Sequence, residues 1–393
     1  MIKKILHIVS DEKFIDIAIR SFNDISCDNT FYCVVQSIPH IFHYIKNTDQ
    51  VIPILSEQFE SMISESDANA ICFHSLPPDW YELVLQVPKD KQIIWSTWGY
   101  DIYDKMGLYP AVYPIDLYKP ITKSALFPLG DRKFNYLNWW KNIFRWILFP
   151  NRQIAKCKHK YKLKKAKENA LELQNKVLER IDYLATVLKI EYDLLLQNPH
   201  IRAKYFPYNY MIGDPKIFNL DDNASCILLG NSGDPSNNHY DIIDVLERRN
   251  ISNFRYVPLS YSSFEYGEKL KNTLKDNPKY GVLETVMPSF EYNKILLQCK
   301  VAIFGHIRQQ AMGNVLSCLR QGSKVFFFKD SMVYKYLKNQ GIKVFTIEDD
   351  LTQENIDTPL TIEEIKCNQK VYMNVRTYDE MISKINNILK EID

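Results

Sequence analysis

Short apolar runs alternate with helix-like segments along this 393-residue chain, and this alternation constrains the fold more than any other feature. In the first third, apolar runs at 5–9, 31–35, 71–74 and 92–96 are separated by helical patterns at 14–22 and 80–87. Strands of four to six residues that alternate with helices predict a parallel sheet with both faces covered. A further helix is predicted at 182–197.

The alternation restarts after a segment rich in proline and polar residues at 198–225. It predicts strands at 225–229, 254–258, 301–304, 324–328 and 343–347, and helices at 240–249, 264–276, 289–298, 310–321 and 331–340. A chain of this length exceeds one ordinary core. We therefore predict an α/β protein of two facing doubly wound, Rossmann-like domains. The predicted units are a first domain (1–208) with an insertion (106–180), a second domain (209–375) and a C-terminal helix (376–393).

The composition is that of a soluble globular protein, with 46% hydrophobic and 24% charged residues. No run of 18 apolar residues occurs, so we expect no membrane-spanning helix. Eight scattered cysteines without a CxxC pair, in a chain without a signal-peptide pattern, favour reduced thiols and a cytoplasmic protein.

Positive charge is concentrated in one segment. Residues 119–167 contain fourteen Lys or Arg and a single acid, Asp131, so the rest of this +2 chain is acidic. Aromatic residues beside cations are typical of a helix at a membrane surface. We therefore expect contact with an anionic membrane, and the alternatives are a helical hairpin packed on the first domain and an RNA-binding arm. The predicted contact residues are Trp139, Trp140, Arg145, Trp146, Lys156, Lys158, Lys160, Lys164 and Lys165.

A loop of small polar residues, GNSGDPSNNH, separates a predicted strand from a helix in the second half. Ligands of open α/β sheets bind where strands end and helices begin. Glycines allow close backbone approach, and helix N-terminal amides suit an anion. The alternative is an ordinary polar loop with an N-cap. The candidate donor-binding residues here are Gly230, Asn231, Ser232, Gly233, Asp234, Asn238 and His239.

A second strand–glycine–helix turn follows at 301–322 and carries an arginine. Arg308 at a helix N-terminus suits a diphosphate, because a guanidinium binds two oxygens and the helix dipole adds to it. Gly313 inside the helix indicates close packing against that backbone. The alternatives are an Arg308 ion pair with an acid and a Gly313 contact with a neighbouring helix. The further candidates in this turn are His306, Gln309, Gln310 and Asn314. A third polar loop, 257–267, follows the strand predicted at 254–258 and adds Ser260 and Tyr261 as candidates.

Several segments resemble the bacterial 4-acetamido-4,6-dideoxygalactose (Fuc4NAc) transferases, glycosyltransferase family 56. The segments are LLGNSGDPSNNH, YVPLSY, FEYNKILLQCKVAIFGHIRQQAMGNVLSCLRQG, ICFHS and IIWSTWGYDIYD. The resemblance implies a GT-B-like fold with the donor nucleotide on the second domain and the acceptor on the first. It also implies transfer of Fuc4NAc from dTDP to an undecaprenyl-diphosphate-linked saccharide, as in enterobacterial common antigen assembly. The basic segment at 106–180 departs from the family pattern and puts the acceptor, and with it the sugar, in doubt.

In the first half, strand ends carry the candidates for a catalytic acid or base: Asp101, His74 and Asp11. A hydroxyl acceptor needs such a group within hydrogen-bond reach. The alternative is that Asp101 caps a turn and His74 is a core residue. Trp98 and Gly99 are candidates for sugar contact. No DxD follows a strand, so we expect no obligatory metal and no cofactor beyond the nucleotide sugar, with Arg308 and helix amides holding the diphosphate.

We therefore predict a glycosyltransferase at the cytoplasmic face of the membrane, with a dTDP-sugar donor and a polyprenyl-diphosphate-linked saccharide acceptor and no nucleic-acid partner. A transferase that uses a UDP- or GDP-sugar for capsule or O-antigen is the enzyme alternative. A non-catalytic nucleotide-sugar-binding or membrane-scaffold protein is the other.

Overall fold

The computed structural model describes residues 3–12, 14–127, 150–210, 219–260, 264–375 and 378–392. Two separate sheets, each with all strands parallel, organise these residues as the sequence predicts. The first has seven strands: β1 (Lys3–Val9), β2 (Cys27–Val35), β3 (Val51–Leu55), β4 (Ala70–His74), β5 (Gln92–Ser96), β6 (Tyr183–Ala185) and β7 (Lys204–Tyr205). Their order across the sheet is β3-β2-β1-β4-β5-β6-β7.

The second sheet has six strands: β8 (Cys226–Leu229), β9 (Arg255–Pro258), β10 (Tyr280–Leu283), β11 (Cys299–Phe304), β12 (Lys324–Phe327) and β13 (Phe345–Thr346). Their order is β10-β9-β8-β11-β12-β13. In both sheets the strand order reverses beside the first strand of that half, which is where doubly wound sheets open a crevice for ligands.

Helices cover both faces of the sheets. The helices of the first half are α1 (Ile15–Asn23), α2 (Phe59–Glu65), α3 (Tyr81–Gln86), α4 (Tyr100–Tyr103), α5 (Pro120–Leu126), α6 (Pro150–Arg180) and α7 (Lys189–Leu195). Those of the second half are α8 (His239–Arg248), α9 (Phe264–Leu274), α10 (Ser289–Leu297), α11 (Met312–Gln321), α12 (Met332–Asn339), α13 (Ile347–Asp350), α14 (Gln353–Asp357), α15 (Ile362–Val375) and α16 (Tyr378–Glu391).

Helix α1 shows why these segments fold as they do. Its apolar residues Ile15, Ala18, Ile19 and Phe22 recur at helical spacing and are all buried against the first sheet. Strand β4, in contrast, is buried at all five positions, as expected for a central strand covered on both faces.

The helix predicted at 182–197 is wrong in its first part. Tyr183–Ala185 form β6, and only Lys189–Leu195 are helical. Backbone pairing of β6 with β5 decides this, since Leu184 lies opposite Trp95 in the ladder.

The C-terminal helix α16 returns to the first domain. Ile385 and Leu389 are buried in the core that covers β1 and β4. Asn386 Oδ1 accepts a hydrogen bond of 2.9 Å from the backbone N–H of Ser26. The chain therefore crosses between the two domains a second time after the second sheet is complete.

Residues 117–127, which we call the interdomain strap, connect the domains on another side. Asn238 of the second domain accepts from the Lys119 N–H at 2.7 Å and donates to the Leu117 carbonyl at 3.0 Å. The Asp241 carboxylate accepts from the N–H groups of Ile121 and Thr122, at the start of α5. The first part of the basic segment is therefore fastened to the second domain.

The long helix α6 packs on the first domain only near its C-terminal end. Gln174 donates to the Tyr81 hydroxyl of α3 at 3.1 Å, and Val177 and Leu178 enter the core. Residues 157–165 are all exposed, including Tyr161 and Leu163. Within the described residues, no helix is both long enough and apolar enough to cross a membrane.

Candidate active site

A cleft of about 1070 Å³ opens between the two sheets, at the loops that follow their strands. The first domain contributes residues that follow β1 and β5, namely Glu12, Phe14, Thr97, Trp98 and Tyr100. The second contributes three loops that were predicted from the sequence. Their lining residues are Asn231, Ser232, Asp234, Ser260, Arg308, Gln309, Gln310, Gly313 and Asn314. The predicted donor loops therefore meet in one cleft.

Arg308 supplies positive charge to this cleft. Its side chain is nine-tenths buried, and one Nη1–H donates to the Gln309 carbonyl at 3.2 Å. Its Nε has no hydrogen-bond partner among the described residues, and there it forms no ion pair with an acid. A buried guanidinium that keeps an unused donor is costly unless a ligand satisfies it. Among the described residues, Arg308 therefore does not form the ion pair with an acid that was the alternative to diphosphate binding.

The backbone beside Arg308 adds a second anion-binding element. Helix α11 begins at Met312, and its N-cap, Ala311, has the left-handed conformation with φ 56°. A Cβ built on Gly313 would meet no atom within 4 Å. This glycine therefore faces the open cleft, and the alternative of a Gly313 contact with a neighbouring helix is wrong. The free amides and the helix dipole point to negative charge in the ligand.

Neutral groups line the space next to this charge. Asn231 Oδ1 lies 3.1 Å from His306 Nε2 and 3.3 Å from Gln310 Nε2. Burial lowers the pKa of His306 to about 3, so its imidazole is neutral and donates to Asn231. His306 thus orients Asn231 from outside the cleft. Of these three residues, Asn231 and Gln310 line the cleft and His306 does not.

Two predicted donor residues have a structural role. Asn238 is fully buried and holds the interdomain strap and the Gly305 carbonyl, at 2.8 Å. His239 is buried, with Nδ1 3.2 Å from the Tyr266 hydroxyl. Neither lines the cleft. Gly230 has φ 72°, and a Cβ there would lie 2.7 Å from His239 Nε2, so this glycine is required by the turn itself. Gly233 is buried in the same loop.

One wall of the cleft was missed in the sequence. Leu283, Thr285, Val286, Met287 and Tyr292 line it, in the loop and helix that follow β10. Strand β10 is a four-residue edge strand, YGVL, which contains a glycine and lacks alternation. The sequence gives only a weak indication of this wall: the segment ETVMPS, directly after the strand, contains a proline and leads into a helix.

Asp101, the first choice as catalytic group, is a structural residue. Its carboxylate accepts hydrogen bonds from the N–H groups of Leu76 (3.0 Å) and Trp98 (2.9 Å) and from Trp95 Nε1 (2.9 Å). The side chain is 1% exposed. Burial raises its pKa to about 6, although the hydrogen bonds oppose this. Asp101 therefore fixes the β5–α4 turn and does not face an acceptor.

His74 and Asp11 do not fit a catalytic role either. His74 is fully buried between His7 and the Tyr210 hydroxyl. Asp11 accepts from the backbone N–H groups of His43, Tyr44 and Ile45, so it anchors that loop. The neighbouring residue Glu12 lines the cleft instead. The pKa of Tyr100 is raised mainly by burial, then by the charge of Asp101 and to a smaller extent by the charge of Glu12.

Trp98 and Gly99 lie where the domains meet. Trp98 lines the cleft and packs edge-to-face on Tyr210 and Phe14. A Cβ at Gly99 would lie 2.8 Å from Arg308 Nη1. Tyr261 and four predicted membrane residues, Trp139, Trp140, Arg145 and Trp146, lie outside the described residues, as does the Lys156 side chain. Lys158, Lys160, Lys164 and Lys165 are exposed on α6.

Part of this chain matches a known protein family. Residues 185–378 match the model of the family described as 4-alpha-L-fucosyltransferase glycosyl transferase group 56. The matched part contains all three donor loops. Residues 185–378 are therefore similar to glycosyltransferase family 56, in agreement with the sequence resemblance. The chain is a glycosyltransferase.

Solved structures show the same two-domain GT-B fold for the whole chain. Sucrose-phosphate synthase from Thermosynechococcus elongatus aligns over 99% of this chain and 98% of its own, with 8% identity and a TM-score of 0.63. The apo structure of OtsA aligns over 100% of both chains, with 9% identity and a TM-score of 0.57. At such identities the likeness extends to the fold alone.

Proposed function

We propose that this glycosyltransferase moves a deoxyamino sugar of the Fuc4NAc kind from a dTDP donor to an undecaprenyl-diphosphate-linked saccharide. The reaction would serve bacterial surface polysaccharide assembly, of the enterobacterial common antigen, O-antigen or capsule type. The observation that carries the proposal is Arg308, a buried arginine with an unused donor on the wall of an interdomain cleft.

Arg308 and the N-terminus of α11 suit the leaving diphosphate. Charge develops on that group as the glycosidic bond breaks, and preorganised donors in a dry site stabilise it. A fixed cation and helix amides supply what a divalent metal supplies elsewhere, so we propose a metal-independent reaction with the nucleotide sugar as co-substrate. Asn231, Gln310 and Asn314 line the same cleft and offer neutral hydrogen bonds for the sugar hydroxyls.

Glu12 is the first-domain carboxylate that we propose as the base. It lines the cleft at the loop after β1, opposite the donor loops of the second domain. A base must reach the acceptor hydroxyl while the donor is held on the other wall. Glu12 lines the cleft, whereas Asp101, His74 and Asp11 do not.

The rim of the first domain is apolar next to this carboxylate. Phe14 lines the cleft and is 40% exposed, and the loop that Asp11 anchors exposes Ile38, Ile41 and Tyr44. Together with the exposed lysines of α6, these residues support an acceptor carried by a polyprenyl diphosphate at the cytoplasmic face of the membrane.

A thermal-shift panel with dTDP, UDP, GDP and thymidine tests the donor. A ligand at 100 times its Kd stabilises the native state by about 2.7 kcal/mol. We expect the largest shift with dTDP. A selective shift with UDP or GDP would keep the glycosyltransferase and overturn the dTDP-sugar donor, whereas no shift with any nucleotide would favour a scaffold role.

Transfer from dTDP-Fuc4NAc to a polyprenyl-diphosphate disaccharide tests the acceptor and the base together. Glu12→Gln keeps the shape of the side chain but cannot take a proton, so kcat should fall about 10²- to 10⁴-fold with donor affinity unchanged. A loss of less than tenfold would remove Glu12 from that role.

A further inference from the structure

Three potential metal ligands meet in the core of the first domain, away from the donor loops. His7 lies on β1, and Cys72 and His74 lie on the neighbouring strand β4. His7 is paired directly with Cys72 in the ladder, and Cys72 and His74 are two residues apart, so they share a sheet face. All three are fully buried.

The distances among the three ligand atoms suit one metal ion. His7 Nδ1 lies 3.0 Å from His74 Nε2, and Cys72 Sγ lies 3.6 Å from the same nitrogen. The three atoms all lie within 4.8 Å of one another. Around a tetrahedral zinc with ordinary bond lengths, nitrogen–nitrogen and nitrogen–sulfur separations are roughly 3.3 and 3.6 Å.

The other ring nitrogen of each histidine has a partner, as metal-binding histidines require. His7 Nε2 lies 3.0 Å from Asn29 Oδ1. The Asn29 amide nitrogen donates to the Phe22 and Cys27 carbonyls, so its oxygen faces His7 and the proton resides on Nε2. The His7 Nδ1 lone pair therefore points into the cluster. His74 Nδ1 lies 2.5 Å from the Tyr210 hydroxyl oxygen, which can accept a hydrogen bond from the Nδ1–H group.

A fourth polar atom lies nearby without a partner. The buried Tyr208 hydroxyl has no hydrogen-bond partner among the described residues. The Tyr208 ring packs edge-to-face on the ring of His74, with the two centroids 6.2 Å apart. Among apolar side chains such as Phe22 and Phe31, an unpartnered hydroxyl is an uncommon feature.

We propose that His7, Cys72 and His74 bind a thiophilic d¹⁰ cation, Zn²⁺ or Cu⁺, as a structural site of the first domain. One thiolate and two neutral imidazoles are the ligands such ions prefer. On binding, the Cys72 thiol releases its proton to solvent and the sulfur lone pair forms the metal bond. Because the ligands are enclosed, the ion would enter while the domain folds.

The site would join β1 to β4 just before the loops that reach the cleft. Glu12 follows β1, and Ser75 and Leu76 follow β4. The ion would hold these strand ends in register without contact with either substrate. This inference does not depend on the proposed donor or acceptor.

Elemental analysis of the full chain, purified without chelator, tests the site. We expect about one equivalent of zinc or copper per chain, and the element found decides between the two ions. Cys72→Ala should lose the metal. Cys33→Ala is the matched control, because Cys33 is equally buried in the same core but outside the cluster; this variant should keep it.

Spectroscopy on the unaltered chain tests the site even if the Cys72→Ala variant does not fold. After refolding with Co²⁺, we expect a thiolate-to-cobalt charge-transfer band in the near ultraviolet. No metal in the purified chain together with no such band would overturn the site, as would equal metal content in folded Cys72→Ala. The three side chains would then form only a hydrogen-bonded chain from Tyr210 to Asn29.

Discussion

At the scale of single residues, Arg308 is the clearest test of the donor site. Arg308→Ala removes a charge-assisted contact with the diphosphate, so dTDP affinity should fall about 10- to 100-fold. Thymidine affinity should hardly change, because the nucleoside carries no phosphate. Isothermal titration of both ligands measures this. Arg248→Ala, which removes a surface arginine paired with Asp244, is the control. Equal losses for dTDP and thymidine would make Arg308 structural.

Glu191 gives the protein a predictable response to pH. Burial raises its pKa to about 7 from 4.5, while hydrogen bonds from the Leu188 N–H and the Tyr103 hydroxyl oppose this. The folded protein holds this proton more tightly than the unfolded chain. The stability that protonated Glu191 contributes is therefore complete below pH 4.5 and is lost as the pH rises through about 7.

Glu191→Gln should consequently stabilise the protein at pH 8, by up to about 3 kcal/mol, and change little at pH 4. The glutamine oxygen can accept from Leu188, and its amide can donate to the Tyr103 oxygen. Denaturant unfolding at both pH values measures the difference. Equal effects at pH 4 and pH 8 would contradict this origin.

The second-domain loops that line the cleft were predictable from the sequence because their signal is local. Small polar residues, a turn glycine and an arginine stand directly between a strand and a helix, as at Gly230 and Arg308. The proposed base, Glu12, was not predictable from the sequence. Asp11 and Glu12 are adjacent, and only tertiary contacts decide which of them faces the cleft. Asp101 shows the same limit, since its three hydrogen-bond donors come from two different strand ends.

At the scale of elements, helix α5 receives its N-terminal cap from the other domain. The Asp241 carboxylate accepts from the Ile121 and Thr122 N–H groups at 2.9 and 2.8 Å. Asp241→Ala should cost about 1–2 kcal/mol, as loss of an N-cap does. Hydrogen exchange should speed up in residues 119–127. Asp244→Ala, on the same helix α8 but paired only with surface Arg248, should leave that segment protected. Unchanged exchange in the first variant would mean that Asn238 alone holds the strap.

The exposed half of α6 tests the membrane proposal. Lys158, Lys160, Lys164 and Lys165 each add about 1 kcal/mol of attraction near an anionic surface. Changing all four to glutamine should lower binding to phosphatidylglycerol vesicles by about a hundredfold or more in sedimentation. The matched control changes Lys335, Lys338, Lys384 and Lys390, which are equally exposed on α12 and α16. Equal losses would indicate net charge rather than a specific surface.

Most strong elements were predictable from the sequence, as was the edge strand β13, whereas the edge strands β3 and β10 were not. Most long strands and helices lie within a few residues of their predicted positions, because burial imposes a pattern on their sequence. Strands β3 and β10 lie at sheet edges, and each contains a residue that normally argues against a strand, Pro53 and Gly281. The segment YLA became β6 only because an open edge of β5 was available.

At the scale of the whole molecule, the crossings between domains were beyond the reach of sequence reasoning. Helix α16 packs on a sheet more than 300 residues earlier in the chain, as the Ser26–Asn386 hydrogen bond shows. The strap likewise fastens to Asn238 and Asp241. Neither contact has a local pattern, since a surface asparagine and a buried linking asparagine look alike in sequence. Both nevertheless connect the two domains.

Gly99 of the first domain lies close to Arg308 of the second domain at the cleft. Gly99 has φ 87°, and a Cβ there would lie 2.8 Å from Arg308 Nη1. Gly99→Ala should lose about 1 kcal/mol of stability from backbone strain and should also displace the guanidinium, so that dTDP affinity falls about tenfold. The measurement is dTDP titration beside thermal unfolding.

Gly107→Ala separates the two effects. Gly107 also has a positive φ, 61°, but a Cβ there would meet nothing within 4 Å. This variant should lose similar stability and keep its dTDP affinity, because strain alone does not reach the donor site. If both variants weaken dTDP binding equally, backbone strain explains the loss. If only Gly99→Ala does, the first domain positions the arginine with which the second holds the donor, and donor binding depends on the closed arrangement of the two domains.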